Sequence, residues 1–560
     1  MAVYAYLFEA RGIQRFLFAT GKLKDMIQGS ELIDYICAEN GYVDQVLITL
    51  NLQKNVKAPR KAGGVFYLIF EQKEYAQRFQ AAWRLAASQW FPGVEGVDAL
   101  TEADSIKAAI AKGIKQLSEA RNQLKIELPN ASPITERSPR TGLAAVKQQH
   151  TASGKKESVD VATATVRNFK RPQESITLAD RFLPSQDIKW PNNFEQDADD
   201  DKKFPLGKRG LVGLIHADGN GLGEILRLLN KACENATDDV YVDLYQTFSD
   251  AVTKATIQAT QQASEKILLP HTDYGVMPAR PLVAGGDDVS VIIRADLAIP
   301  FTQAFLIAFK QTSKDELAKL KAKFKQYHLD KNAEELPDSL TACAGIVFMK
   351  ASQPFHSAYS LAEGLCKQAK NYSRQYKRKN ADQKVEIIPS SLAFYKVSDS
   401  LLEDIDAMYT QTQIAIHADQ QYHLCLPAYL VDENNLELAN IEQLLDIHQL
   451  LETSSLNDRP LREIATLIHA NVDHAKQAYK RWNYFSERNI AQLSKLEQKQ
   501  LSELEHFKHV LAQIVGHLMV DLPFHQVNEQ QYQSILGDLL ALATISEEVQ
   551  QKQKVESIAS

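Results

Sequence analysis

The sequence predicts an α+β protein with two copies of one strand–helix fold, followed by an all-helical C-terminal region. Three observations support this prediction. An Ala-Gly-Gly turn beside apolar strands occurs twice, a polar stretch separates the two occurrences, and helical periodicity dominates from about residue 400 onward. The chain of 560 residues is long enough for three or four compact units.

The first predicted domain spans residues 1–115. A β-branched and aromatic run at 3–8 predicts a strand, and a helical pattern follows around 13–18. About fifty residues later, the turn Gly63-Gly64 opens a second apolar strand at 65–70. These elements are the first copy of the fold.

Residues 116–208 are predicted to be a linking or inserted region. This stretch is polar, contains the turn-forming residues Pro129, Pro133, Pro139 and Gly142, and ends in a charged run at 197–203. Such a composition is typical of loops rather than of a packed core.

The second copy is predicted at residues 209–398. An apolar strand at 211–215 runs through Asp218 into a glycine-rich segment, and a helix begins near Glu224. The second Ala-Gly-Gly turn, 284–286, lies between two apolar strands and is followed by Asp287 and Asp288. The last strand of this copy is predicted at 385–389.

Residues 399–560 are predicted to form a separate all-helical domain. Ser494 and Glu497 have the spacing of a capping box, in which the serine accepts a hydrogen bond from a free amide and the glutamate reaches back. Asp458-Arg459-Pro460 is a second predicted helix start. Long amphipathic helices of this kind are more often packing elements than sites.

The two predicted copies differ in their acidic residues. Matching the two Ala-Gly-Gly turns places Val65 and Phe66 of the first copy where the second has Asp287 and Asp288. Only the second copy is then equipped for chemistry. The alternative is that the tripeptide recurs by chance, since strand–helix units are common.

Asp218, Asp287 and Asp288 are the predicted catalytic and metal-binding residues. If the sheet is antiparallel, the strand that ends at Asp218 lies beside the turn that carries the other two. Two unit charges 4 Å apart repel by about 4 kcal/mol at an effective dielectric constant of about 20, so a counter-charge is needed. An all-oxygen donor set without nearby Cys or clustered His suits Mg²⁺ or Mn²⁺, which usually takes its remaining ligands from water and phosphate.

The segment Gly219–Gly223 is predicted to bind nucleotide phosphates through Gly219, Gly221 and Gly223. It lies between a strand and a helix start, where exposed amides and the helix dipole favour anions. The pattern is neither the Gly-x-Gly-x-x-Gly of dinucleotide-binding proteins nor a P-loop.

A helix predicted from 354 to 376 carries Lys367, Lys370, Arg374 and Arg378 at helical spacing, which places four cations along one stripe. Lys370 and Arg374 are the predicted nucleotide contacts. The alternative is an ordinary solvated helix face. His216, Cys343 and Cys366 are expected to be packing residues.

The overall composition argues for a globular protein rather than one that coats nucleic acid. Hydrophobic residues make up 44% of the chain and charged residues 24%, and 63 Lys and Arg stand against 70 Asp and Glu, for a formal net charge of −7. The five cysteines form no CxxC pair, which argues against a zinc ribbon or a disulfide framework. We expect a soluble cytoplasmic protein without a signal peptide or membrane span.

At this point the chain resembles a known family. The strand ending in His-Ala-Asp-Gly-Asn-Gly-Leu-Gly, the Gly-Gly-Asp-Asp hairpin, the strand at 341–347 and the helix ending in Cys-Lys-Gln-Ala-Lys look like the second palm domain of the large subunit of type III CRISPR effector complexes, the Csm and Cmr large subunits. The resemblance extends to a degenerate first palm, a middle insertion and a helical C-terminal domain.

The resemblance implies two ferredoxin-like palm domains, akin to GGDEF cyclases, that make cyclic oligoadenylates from ATP in antiviral defence when foreign RNA is bound. It implies the following roles: metal ligands for Asp218 and Asp287, a further ligand or activator of the 3′-hydroxyl for Asp288, the turn that admits the nucleotide for Gly285 and Gly286, and a triphosphate contact for Lys370.

The sequence also departs from the family's pattern. No His-Asp dipeptide occurs, so we expect no histidine-aspartate nuclease domain, and the segment Ser138–Gly142 lacks the paired cysteines often found in the insertion. The expected partners are ATP, subunits of an RNA-guided complex and target RNA, or a second copy of the chain if the protein acts alone. The alternatives to oligoadenylate synthesis are a stand-alone cyclic-dinucleotide synthase and a non-catalytic scaffold subunit.

Overall fold

The fold is described from a computed structural model. The described residues are 2–123, 132–150, 154–185, 187–194, 204–207, 210–376, 378–379, 386–397, 404–431, 439–454, 456, 458–483 and 494–546, without the side chains at 330, 332, 378, 379, 386 and 496. The predicted charged run at 197–203 lies outside these residues.

The described residues up to 182 contain six strands and seven α-helices. In chain order they are β1 Val3–Arg11, α1 Ile13–Phe18, α2 Leu23–Cys37, α3 Tyr42–Thr49, β2 Val56–Ala62, β3 Val65–Phe70, α4 Lys73–Trp90, β4 Glu95–Ala103, α5 Ile106–Arg121, β5 Ala145–His150, β6 Lys156–Asp160, α6 Val161–Asn168 and α7 Leu178–Phe182. The predicted boundary at 115 thus falls inside α5.

The central part continues with β7 Leu211–Gly219, α8 Leu222–Ala232, α9 Asp238–Ala263, β8 Ala279–Gly285, β9 Asp288–Arg294, α10 Ala295–Gln326, β10 Ala342–Lys350, α11 Phe355–Arg374, β11 Arg378–Lys379, β12 Glu386–Ile387 and β13 Ser391–Lys396. The remaining elements are α12 Ile405–Thr412, β14 Ile414–His417, β15 Gln420–His423, β16 Tyr429–Leu430, α13 Ile441–Thr453, α14 Arg459–Ala470, α15 Val472–Trp482, α16 Lys495–Val515, β17 His525–Gln526, β18 Gln531–Gln533 and α17, residues 536–546.

Two sheets share one topology. The first has the order β2-β3-β1-β4 with every neighbour antiparallel. The second has the order β16-β13-β10-β7-β9-β8, and its segment β8-β9-β7-β10 repeats the arrangement of the first sheet. With their connecting helices, both copies follow the βαββαβ ferredoxin-like pattern. The predicted fold class of two such domains is confirmed.

Strand β7 lies at the centre of the second sheet because it is apolar on both faces. Ile215 and Ala217 pack on the side of α9 and α10, whereas Val212 and Leu214 pack on the side of α11. Residues with even numbers in β7 therefore face α11. This alternation places Asp218, two positions after His216, on the α11 side of the sheet.

The two copies are held against each other by specific contacts. The Tyr67 ring in β3 lies 6.4 Å from the Tyr245 ring in α9, between centroids. The carboxylate of Asp238, at the start of α9, accepts hydrogen bonds from the first amide of α5, that of Ile106, at 3.1 Å. These contacts fix the first copy beside the turn between β8 and β9.

The C-terminal region is helical for most of its described length, as predicted, but it also contains strands. The order β14-β15-β18-β17 forms a small sheet, and β16 pairs with β13 at the edge of the second large sheet. The capping box of Ser494 and Glu497 is confirmed, as is the helix start at Arg459-Pro460. No helix among the described residues is long and apolar enough to cross a membrane.

One strand was missed by the sequence reading. The second copy does not end at 385–389: β13 follows, runs parallel to β10 and is buried on both faces except at its last residue. Its four central residues, 392–395, form a short apolar run, which periodicity cannot assign to a strand or to a buried helix. The domain boundaries at 208 and 398 stay predictions.

Candidate functional site

The site is built where β7 ends and the β8–β9 hairpin turns. β7 and β9 are antiparallel, with Ala217 opposite Val289. Asp218 therefore lies beside the hairpin turn, as we expected for an antiparallel sheet. One oxygen from each of Asp218, Asp287 and Asp288 lies within 4.8 Å of the others. The structure thus brings together the three carboxylates that the sequence singled out.

The hairpin turn depends on glycine. Gly285 pairs with Asp288, which leaves Gly286 and Asp287 as the two turn residues. Gly286 has a φ of 62°, in the left-handed region that residues with a Cβ rarely adopt. The glycine lets the strand reverse within two residues, and Asp287 is thereby projected toward the end of β7.

The hairpins of the two copies align differently from the sequence prediction. In the first copy, Ala62 pairs with Val65, so its turn residues are Gly63 and Gly64. The structural counterparts of Asp287 and Asp288 are therefore Gly64 and Val65, one residue earlier than the predicted Val65 and Phe66. The alanine of Ala-Gly-Gly forms the last strand pair in the first hairpin, whereas the first glycine forms it in the second hairpin. Matching the two tripeptides residue by residue therefore misaligns the hairpins by one position. The first copy still lacks both carboxylates.

Gly219 allows β7 to approach the turn closely. A Cβ atom at this position would lie 2.9 Å from both Cβ and Oδ2 of Asp287, closer than Cβ atoms approach other atoms. The absence of a side chain at 219 is therefore a condition for the carboxylate cluster. This is a packing role, in addition to the phosphate contact predicted from the sequence.

The other predicted glycines occupy distinct places. Gly221 has a φ of 68° at the N-cap of α8, Gly223 lies in the first turn of that helix, and no atom would contact a Cβ at either position. A Cβ at Gly285 would lie 3.9 Å from the Cα atom of Gly63. The turns of the two copies therefore nearly touch.

The acidic cluster is electrostatically unbalanced. Burial raises the pKa of Asp287, and the negative charge of Asp218 raises it further, to about 7. Enclosure by protein and the charges of Asp287 and Asp218 raise the pKa of Asp288 well above its usual range, although the residue is exposed at the surface. The ionised forms of Asp287 and Asp288 are therefore disfavoured by burial and by the neighbouring carboxylates.

Lys370 is the nearest described counter-charge. Its ammonium group forms an ion pair with Asp218 and donates a hydrogen bond to the Gly219 carbonyl at 2.8 Å. Burial raises the pKa of Asp218, but the charge and hydrogen bond of Lys370 lower it more, so the net shift is downward. Lys370 therefore contacts the carboxylate cluster directly.

The predicted basic stripe is shorter than expected. Lys367 and Arg374 are exposed on α11, but the helix ends at Arg374, and Arg378 belongs to the short strand β11. The prediction that Arg378 continues the stripe is therefore wrong. Basic residues at helical spacing continue beyond the last residue of α11, so this spacing does not show where the helix ends.

His216 is a packing residue, as predicted. It is 8% exposed, and its Nδ1 atom lies 3.1 Å from Ser290 Oγ and 3.2 Å from the Tyr359 hydroxyl. Burial lowers its pKa to about 4, so the ring is neutral at pH 7. Cys343 and Cys366 are also buried, and the Cys366 thiol donates to the Cys343 carbonyl at 3.2 Å.

Three residues near the turn were missed from the sequence. Thr256 in α9 donates to the Gly286 carbonyl at 2.7 Å, and Arg181 in α7 donates to the Ala284 carbonyl at 2.6 Å. Burial lowers the pKa of Arg60 in β2, but Tyr67, Tyr245 and, as the smallest cause, Asp287 raise it overall. No local pattern marks these residues, because each acts on a segment 30 or more positions away.

Comparisons with known proteins match the same part of the chain. Residues 211–381 match the family model for the second palm domain of Cas10/Cmr2. No curated protein matches the sequence.

Solved structures of Csm1 are also similar. Csm1 of T. onnurineus is 12% identical, with a TM-score of 0.43 over 98% of this chain and 69% of that one. A Csm1–Csm4 cassette in complex with cA4 is 12% identical, with a TM-score of 0.42 over 96% and 70%. A Csm1–Csm4 cassette in complex with AMPPNP is 13% identical, with a TM-score of 0.38 over 66% of this chain and 53% of that one, about half its length.

Because these TM-scores are all below 0.5, the comparison with a known family rests on the family model alone. That match spans the strand with Asp218, the hairpin with Asp287 and Asp288, and α11 with Lys370. The predicted resemblance to the type III large subunits is confirmed over this segment: residues 211–381 match the second palm domain of Cas10/Cmr2.

Proposed function

We propose that the protein is a Mg²⁺- or Mn²⁺-dependent nucleotidyltransferase that converts ATP into cyclic oligoadenylate in a type III CRISPR-like defence system. One observation carries the proposal: three aspartates from β7 and the β8–β9 hairpin converge within 4.8 Å in the segment that matches the second palm domain of Cas10/Cmr2. A scaffold would be more stable if these repelling charges were replaced, as they are in the first copy.

The donor set fits a divalent cation. Carboxylate oxygens are the ligands that Mg²⁺ and Mn²⁺ prefer, and burial and mutual repulsion raise the pKa values of Asp287 and Asp288, a cost that a bound cation would offset. Asp218 and Asp287 would hold the ion, with Asp288 as a further ligand. When bound, such an ion activates a ribose hydroxyl and neutralises a departing pyrophosphate.

The remaining site residues would hold the nucleotide. Lys370 places its ammonium group at the edge of the cluster, where it would attract a triphosphate. Gly221 and Gly223 leave the start of α8 open, so its free amides would face phosphate oxygens. Arg374 is exposed one turn beyond Lys370 and would add a second cation.

We also propose the partners that the resemblance implies. These are subunits of a CRISPR RNA-guided complex and a target RNA whose binding starts synthesis. Should the protein act alone, a homodimer is the expected form.

The test is incubation of the purified protein with Mn²⁺ or Mg²⁺ and each labelled nucleoside triphosphate, with and without complex partners and target RNA. The double variant D287A/D288A is expected to make no product. The control D315A/D419A removes the same two charges from exposed positions on α10 and in the β14–β15 turn, and it is expected to match the wild type.

The products decide between the alternatives. Cyclic oligoadenylate that depends on Asp287 and Asp288 supports the proposal, and a cyclic dinucleotide would replace it by the stand-alone synthase. Absence of any product under all conditions, with stable co-elution of partner subunits, would leave the scaffold function.

A further inference from the structure

The backbone beside the catalytic turn is held from outside its own domain. β8 is the last strand of its sheet, so its outward carbonyl groups have no neighbouring strand. The Leu282 carbonyl accepts a hydrogen bond from the Ser30 hydroxyl of α2, and the Ala284 carbonyl accepts one from Arg181 of α7, at 2.6 Å. The carbonyls that precede the Gly-Gly turn are thus bound by the first copy and by the middle region.

Arg181 is itself fixed in place by an acidic partner. Its Nη1 and Nη2 atoms lie 2.8 and 2.9 Å from the two carboxylate oxygens of Asp34 in α2. The side chains of Arg181 and Asp34 are only 16% and 10% exposed. A two-point contact between guanidinium and carboxylate sets orientation as well as distance.

A neighbouring arginine, Arg171, lies in the segment before α7 and binds two carboxylates of α2. Arg171 lies 2.8 Å from Asp34 and 2.6 Å from Glu31, and the Leu178 amide at the start of α7 donates to Glu31 at 3.0 Å. Of these two arginines, only Arg181 donates a hydrogen bond to the Ala284 carbonyl in the described structure.

The contact acts where the turn is least rigid. Gly285 and Gly286 follow Ala284 directly, and glycine has more backbone freedom than any other residue. Arg181 Nη1 would lie 4.0 Å from a Cβ at Gly285, so the guanidinium group is beside the turn. Thr256 holds the carbonyl two residues further on, that of Gly286, from inside the domain.

We propose that Arg181 is a positioning residue for the metal-binding turn, so that the middle region, through α7, completes the site of the second palm domain. This inference rests on the proposed function. Arg181 fixes the Ala284 carbonyl, which is three residues from Asp287, and thereby keeps Asp287 within reach of Asp218. Any partner that moves α7 relative to α2 would then change the geometry of the carboxylate cluster.

The experiment compares R181Q with R171Q, which removes an even more buried arginine of the same network that donates no described hydrogen bond to β8. Hydrogen–deuterium exchange of the peptide over 282–292 reports on the turn without metal or activity, and Mn²⁺ affinity measured by electron paramagnetic resonance reports on the carboxylates. R181Q is expected to speed exchange in this peptide and to weaken Mn²⁺ binding by about 10- to 100-fold, as for other residues that orient metal ligands. R171Q is expected to behave as the wild type in both measurements.

The outcomes separate this inference from the proposed function. Wild-type exchange and Mn²⁺ affinity in R181Q, or equal changes in R171Q, would overturn the positioning role. If R181Q does not fold, R181K decides, because lysine keeps the charge beside Asp34 but lacks the guanidinium fork: faster exchange supports the role and unchanged exchange refutes it. A wild-type protein that binds Mn²⁺ through Asp287 but makes no nucleotide product would refute the proposed function and leave the Arg181 result to stand on its own.

Discussion

Asp287 holds its proton more tightly than an ordinary aspartate because it is enclosed and faces another acid. Its pKa of about 7 contrasts with the downward shift at Asp218, which is paired with Lys370. Two neighbouring carboxyl groups with opposite shifts are frequent at catalytic sites. At this scale, protonation of Asp287 and of Asp288, whose pKa is also raised, sets the charge of the cluster.

We expect D287N to raise the melting temperature in metal-free buffer clearly more at about pH 8 than at about pH 5, because only the first part of the proton-linked loss of stability has occurred at pH 5. The folded state binds the Asp287 proton more tightly than the unfolded chain, so this contribution to stability is complete below the ordinary value of 3.8 and is lost as the pH rises through about 7. Asparagine carries no charge at either pH. Thermal unfolding across this range measures the effect.

The control for this prediction is D315N, which removes an exposed carboxylate on α10. It should show no comparable dependence on pH. A stabilisation by D287N of equal size at pH 5 and pH 8 would mean that charge is not the cause.

Among elements, the meeting of β7 with the β8–β9 hairpin decides the geometry of the site. The two are adjacent in the sheet, and Gly219 leaves the space into which Asp287 fits. The hairpin is further held by Thr256 and Arg181 through backbone carbonyls. The cluster is therefore a property of three packed elements and not of the Gly-Gly-Asp-Asp motif alone.

We expect G219A to weaken Mn²⁺ binding about tenfold or more and to cost about 1–3 kcal/mol of stability, because the added methyl group would overlap Asp287. The matched variant G223A adds the same group in the first turn of α8, where nothing lies within 4 Å. It should bind Mn²⁺ as the wild type does in the absence of nucleotide. Isothermal titration and thermal unfolding measure both effects, and equal Mn²⁺ affinities in the two variants would contradict the packing argument.

The elements also show what the sequence could and could not predict. Asp218 and the Gly-Gly-Asp-Asp hairpin carry local signals, since a strand end and a diglycine turn are written in a few consecutive residues. The pairing register of the hairpin is set by three-dimensional contacts, so the copies were aligned one residue apart. Arg181 reaches a carbonyl 103 positions away, and no spacing rule marks such a contact.

At the scale of the whole molecule, the two palm-like copies behave as one unit. Asp238 of the second copy binds the first amide of α5 in the first copy, Tyr67 packs near Tyr245, and the two hairpin turns approach each other. The first copy lacks the acidic residues but supplies Arg60 near Asp287. The first copy thus contributes packing contacts and a positive charge close to the carboxylate cluster.

We expect D238A to lower the stability of the protein by about 0.5–2 kcal/mol, the usual cost of losing a side chain that binds a free helix amide. The adjacent D239A is the matched control, because it removes only the exposed ion pair with Lys57, worth about 0–1 kcal/mol. Chemical denaturation measures both values. A larger loss in D239A would show that the contact between the copies has been assigned to the wrong aspartate.

The strand that closes the edge of the second large sheet comes from far downstream. Tyr429 and Leu430 in β16 pair with β13 and are fully enclosed. A recombinant fragment that stops at 398 would lack β16 and would leave the apolar strand β13 as an unpaired edge. Such an edge can pair with strands of other molecules, so we expect the fragment to aggregate. Excision of the second palm-like copy for biophysical work should therefore extend through residue 431.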